Sequence, residues 1–183
     1  MTEQNRTDRI KYLKQRADRR HFLTDFKLSF SKVIGQSNLE DFILTQDNTN
    51  RLIKKIHEKN SQIPTLIITY PFEQSEKIRT ILTCLKGFLM QSDNYFSTYK
   101  FFNAFFLQLD TSFVIREFEK LVELDTNTIY VYDNNINNGF WIDCNEENWT
   151  ENGEKRYMWT YELRVWGKEW VSKVFEQYLK TEK

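Results

Sequence analysis

Three stretches in the C-terminal half read Thr128-Ile-Tyr-Val-Tyr132, Phe140-Trp-Ile-Asp-Cys144 and Tyr157-Met-Trp-Thr-Tyr-Glu-Leu-Arg-Val-Trp166. All are rich in β-branched and aromatic residues, and the third alternates in the manner of a half-buried strand. Tyr157, Trp159, Tyr161, Leu163 and Val165 share one face of it, while Met158, Thr160, Glu162, Arg164 and Trp166 share the other. Asn138-Gly139 reads as a turn dipeptide, because both residues tolerate positive φ, so Phe140–Cys144 is expected to return antiparallel to Thr128–Tyr132. Asn145–Lys155 reads as a longer loop into the third strand. Gly167 ends that strand, and Lys168–Leu179 sets Trp170, Val171, Val174, Phe175, Tyr178 and Leu179 on one helical side.

Upstream, Thr65-Leu-Ile-Ile-Thr-Tyr70 between Pro64 and Pro71 is a continuous apolar and β-branched run, as expected of a strand buried on both faces. Ser75 precedes a helical stripe of Ile78, Ile81, Leu82, Leu85, Phe88 and Leu89 over Glu76–Gln91. Phe101–Leu109 reads as a second buried strand, and Asp110 is placed to cap a helix over Thr111–Leu124. Strand, helix, strand, helix, strand with short links predicts three parallel strands joined by right-handed crossovers. Further upstream, Arg6–Ile34 has helical spacing that ends at Gly35, and short helices are expected at Leu39–Leu44 and Arg51–Lys59 around the turn Asp47-Asn-Thr-Asn50. The expected fold is α/β: a mixed sheet of about five strands, three parallel and then an antiparallel meander, with helices packed on it. Residues 1–62 are the helical N-terminal region and 63–183 the α/β domain with its C-terminal helix, together one folding unit.

With 183 residues, of which 40% are hydrophobic and 16% aromatic, the chain has enough apolar material for its own core. A 28% share of charged residues and a mean hydropathy of −0.65 argue against a membrane protein. Met1-Thr-Glu-Gln-Asn-Arg6 has no apolar core behind it, and the longest apolar run, Ala104-Phe-Phe-Leu107, is far short of a span. A cytoplasmic protein is expected. Cys84 and Cys144 stand where small apolar residues belong and form no Cys-x-x-Cys pair, so buried thiols are expected. His21 and His57, the only two histidines, lie in Lys/Arg-rich helical stretches and read as solvated. Five glycines form no phosphate-binding loop. No cofactor, no resident metal and no catalytic signature are expected.

The formal net charge of +0 hides a polarised distribution. Between Arg6 and Lys32 the basic residues Arg6, Arg9, Lys11, Lys14, Arg16, Arg19, Arg20, Lys27 and Lys32 face only Asp8, Asp18 and Asp25. Between Asp133 and Glu154 there are Asp133, Asp143, Glu146, Glu147, Glu151 and Glu154 with no Lys or Arg among them. Asp133, Asp143, Glu146 and Glu147 are read as leaving strand ends close together, a negative surface for a basic partner. Asp133–Gly139 fails as a calcium loop, since the Gly falls one place late and Cys144 stands where a bidentate Glu belongs. Trp149, flanked by acids and placed by no core-facing pattern, has the character of a binding hot spot. One alternative is a small metal-dependent nuclease or other hydrolase using Asp143 with Glu162-Leu-Arg164, although that chemistry usually has Lys in place of Arg164. Another is nucleic-acid binding through Arg16, Arg19 and Arg20 of the basic helix, without any helix-turn-helix or zinc-finger spacing to accompany it.

The stretches Asn127–Trp149 and Tyr161–Trp170 resemble the small cytoplasmic immunity proteins encoded beside secreted polymorphic toxins of Gram-positive bacteria. The resemblance implies an inhibitor, not an enzyme, that binds and blocks a cognate toxin domain, often a nuclease. Its interface is expected at Asp133, Asp143, Glu146, Glu147, Trp149 and Glu151, with neither membrane nor nucleic acid as partner.

Overall fold

The computed structural model describes residues 3–34, 40–59, 65–85, 94–124 and 127–183. Six strands form one sheet: β1 (Thr65–Pro71), β2 (Asn94–Thr98), β3 (Leu107–Leu109), β4 (Thr128–Tyr132), β5 (Gly139–Glu151) and β6 (Glu154–Trp166). Their order is β1-β6-β5-β4-β2-β3, and every pairing is antiparallel. This overturns the expected mixed sheet of about five strands with three parallel members. Asn94-Tyr-Phe-Ser-Thr98, too short and polar-flanked to announce itself by periodicity, is a strand. Phe101–Ala104 is a turn, so only Leu107–Leu109 returns as β3, in a hairpin with β2. A helical crossover sets the direction of the next strand but does not choose its neighbour. Thus β3 and β4 run the same way across the helix that joins them, with β2 inserted between. Likewise β1 lies at the opposite edge against β6, where Thr65 pairs with Trp166.

The helices are α1 (Glu3–Ile34), α2 (Gln46–Lys59), α3 (Ser75–Leu82), α4 (Thr111–Glu123) and α5 (Lys168–Thr181). The Asp47–Asn50 turn is thereby absorbed into α2, and the part of the expected helix beyond Leu85 lies outside the described residues. Asp110 caps α4 as its position suggests, its carboxylate accepting from Ser112 N at 2.8 Å. Ile78, Ile81 and Leu82 of α3, Val114 and Phe118 of α4, Trp170 and Val174 of α5 and Phe26 and Phe30 of α1 join one core with Ile129, Val131, Phe140, Ile142, Tyr161 and Leu163. On the opposite face, Leu52 and Ile56 of α2 cover only one end of the sheet, above Tyr132 and Trp166.

Two turn assignments change. Gly139 is not a turn residue: it pairs with Tyr132 inside the β4–β5 ladder. The turn occupies 133–138, with Ile136 at φ 59°, and Asp133 closes it by accepting from Asn137 N at 2.8 Å and Asn138 Nδ2 at 2.8 Å. Nor is Asn145–Lys155 a loop. Both strands continue through it, pairing from Asn145↔Thr160 to Glu151↔Glu154. Asn152 (φ 51°) and Gly153 (φ 81°) make the two-residue connection whose paired positive φ values match the twist of a hairpin. β4 stops opposite Asp143 and β1 opposite Thr160, so the remainder projects as a two-stranded arm.

Candidate functional site: the open sheet face and its arm

Side chains alternate along a strand, so the register of β5 and β6 sorts this region into two faces. On the helix-covered face lie Phe140, Ile142 and Cys144 against Val165, Leu163 and Tyr161, and on the same side of the arm, past the helices, Glu146 pairs with an exposed Trp159 and Asn148 with an exposed Tyr157. The other face reads, outward from α2, Trp141 beside Arg164, Asp143 beside Glu162, Asn145 beside Thr160, Glu147 beside Met158, Trp149 beside Arg156 and Glu151 beside Glu154. β1 adds Ile67, 51% exposed, and Thr69, which pair with Arg164 and Glu162. Beyond the reach of α2 no helix covers these rows among the described residues.

Near its root this face is held by specific contacts. Tyr130 meets Trp141 edge-on at 5.8 Å between centroids, and the Arg164 guanidinium lies 5.2 Å above the same indole. Arg164 Nε donates to Glu162 Oε1 at 2.5 Å. The Thr128 hydroxyl donates to Asp143. Burial pushes the Asp143 carboxyl up, and Glu162 adds to this, while the Thr128 bond and Arg164 oppose it. Burial and, less strongly, the Asp143 charge push the Tyr130 phenol up to about 12. Further out, Thr160 Oγ1 donates to Glu147 Oε1 at 3.3 Å. Arg156 bridges Glu154 at 2.9 Å and Glu151 at 3.8 Å. Asp143, Glu147, Glu151, Glu154 and Glu162 outnumber Arg156 and Arg164, so the face is acidic as well as aromatic.

Of the residues expected to form an interface, Asp143, Glu147, Trp149 and Glu151 share this face. Trp149 is 44% exposed. Glu146 points to the opposite face of the arm, and Asp133 sits in the turn before β5, about 40 Å along the strand from Glu151. The carboxylates are therefore strung along β5 and not gathered at one sheet edge. Trp141, Met158 and Ile67 complete the surface. The alternation of β6 places Met158 on this face, whereas Trp141 and Ile67 are placed there only by the pairing of β5 and β1 with β6.

The alternatives meet different geometry. Asp143 and Glu162 are cross-strand neighbours, each bonded to a protein partner, and no group of three or more His, Cys, Asp or Glu comes together among the described residues. On α1, Arg16 and Arg20 are exposed, but Arg19 turns inward. Its guanidinium donates to the carbonyls of Leu44 and of Ala104, the latter at 3.4 Å. Among the described residues no helix is long and apolar enough to cross a membrane.

Comparison of the chain with protein-family models, curated proteins and solved structures found no match.

Proposed function

We propose that this chain is a protein-sequestering inhibitor of the immunity type, which holds a basic toxin domain in the cytoplasm on the open face of β5 and β6. The observation that carries the reading is Trp149, an exposed indole on an uncovered sheet face, with carboxylates two residues to either side of it. A large aromatic anchor ringed by charge is how binding energy concentrates at an interface. Acidic complementarity speeds encounter with a basic target and turns other acidic proteins away. A toxin that grips nucleic acid is basic where it does so, and such a surface would plug that site.

The test is affinity capture from the native cell at low and moderate salt, followed by titration of the captured protein against wild type and the Glu147→Ala, Trp149→Ala double variant. A single basic protein, released as salt rises and bound at least tenfold more weakly by the folded double variant, supports the reading. Equal affinity of that variant removes the arm from the interface. Capture of nucleic acid in place of protein would favour the basic helix as the working surface.

A further inference from the structure

The edge of β5 along the arm bears on how the partner in that reading is held, and the inference rests on it. The last bond between β5 and its neighbour runs from Cys144 N to Asn127 O at 2.9 Å. Successive peptide groups of a strand alternate in direction, so the N–H and C=O groups of Glu146, Asn148 and Thr150 point the same way as those of Cys144. Among the described residues no strand pairs with them on that side, and Asn145–Glu151 is exposed throughout. Such an edge is a template for an added strand.

Charge selects which edge and which strand. β6 is also open past Thr160 but displays Lys155 and Arg156 against Glu154 alone, whereas β5 displays Glu146, Glu147 and Glu151 with no cation. A second copy of β5 laid on this edge would crowd the same carboxylates of both chains together, and like charges across a strand pair are destabilising. We propose that the β5 edge from Glu146 to Thr150 takes up an extended basic segment of the partner as an additional strand of the sheet. On the open face that strand lies beside Glu147, Trp149 and Glu151 in turn. The segment that fits therefore carries a cation, an apolar residue and a cation at alternate positions and runs antiparallel to β5, as every other neighbouring pair of this sheet does.

The probe is an end-blocked heptapeptide, Thr-Lys-Thr-Val-Thr-Lys-Thr, titrated into the full chain, with amide exchange followed residue by residue. Two control peptides have Glu for Lys, or N-methyl groups on the two Thr residues flanking Val. The Lys peptide is expected to bind and to slow exchange at least tenfold at Glu146, Asn148 and Thr150, while the acidic and N-methylated peptides do not bind. Asn148→Pro, which removes an outward N–H and leaves Glu147 and Trp149 in place, is expected to weaken the Lys peptide at least tenfold. Asn148→Ala is expected to leave its affinity unchanged. Equal binding of the N-methylated peptide, unslowed exchange, or no binding of the Lys peptide overturns strand addition. The sequestering reading is decided separately, by the double variant against the captured partner.

Discussion

Gly139 has no room for a side chain, because a Cβ there would lie 2.1 Å from Trp166 Cζ2 and 2.5 Å from the Val131 carbonyl oxygen. Gly139→Ala is therefore expected to cost about 2–3 kcal/mol, read as a lowered urea midpoint with an unchanged slope. Gly153 has open space around it and only a positive φ of 81° to satisfy. Gly153→Ala should cost about 1 kcal/mol. The dipeptide Asn138-Gly139 suggests a different reason for the glycine, a positive φ in a turn, since composition alone cannot say whether a glycine is needed for its φ or for its missing Cβ. At Asp143 the expectation concerns pH. Its folded-state pKa is raised above the ordinary value of 3.8, so the native state holds that proton more tightly than the unfolded chain does. The resulting stability is present at low pH and is lost as pH rises through the raised value. Asp143→Asn keeps an oxygen for the Thr128 hydroxyl and should raise the Tm at pH 7, with the gain shrinking as pH falls through the raised value and gone below the ordinary value of 3.8. A Tm that falls at pH 7 would mean that the ionised carboxylate is favoured there.

At the scale of elements, the arm is separable from the core. Residues 148–157 are exposed, and Glu147↔Met158 is a cross-strand pair of the same set as Glu151↔Glu154, which flanks the natural turn. Replacing 148–157 by Asn-Gly should leave the near-UV circular dichroism intact and the Tm within about 3 °C of wild type. Partner binding should be lost, because Trp149 and Glu151 go with the excised segment. A broad loss of tertiary signal would show instead that the arm supports the sheet. The polar composition of Asn145–Lys155 hides this element, since an exposed two-stranded ribbon has no apolar face to impose a period of two. Only the pairing partner, β6, reveals it as strand.

At the scale of the whole molecule, the described helices cover one face of the sheet as far as Cys144 and Tyr161 and the other only at one end. α1 enters the fully covered side with Phe26 and Phe30, 2% and 0% exposed, whereas Ile10 and Leu13 are 57% and 52% exposed. Phe30→Ala should cost about 3–5 kcal/mol in urea unfolding, and removal of residues 1–17 less than about 1 kcal/mol. A truncation as costly as Phe30→Ala would place the exposed half of α1 in the core. The sequence by itself determined which segments are amphipathic: α4 with its Asp110 cap, α5, and the two faces of β6. These follow from local spacing and from hydrogen bonds made within a few residues. Its polarised charge likewise marked β5 as acidic and Trp149 as exposed. Strand order was decided only in three dimensions, because inserting β2 between β3 and β4, and β6 beside β1, depends on pairings far apart in the chain that leave no periodic trace. Tertiary structure also decided which carboxylates share a face. A single strand register places Asp143, Glu147 and Glu151 on one face and Glu146 on the other, and the backbone hydrogen bonds that set register leave no mark on local residue spacing.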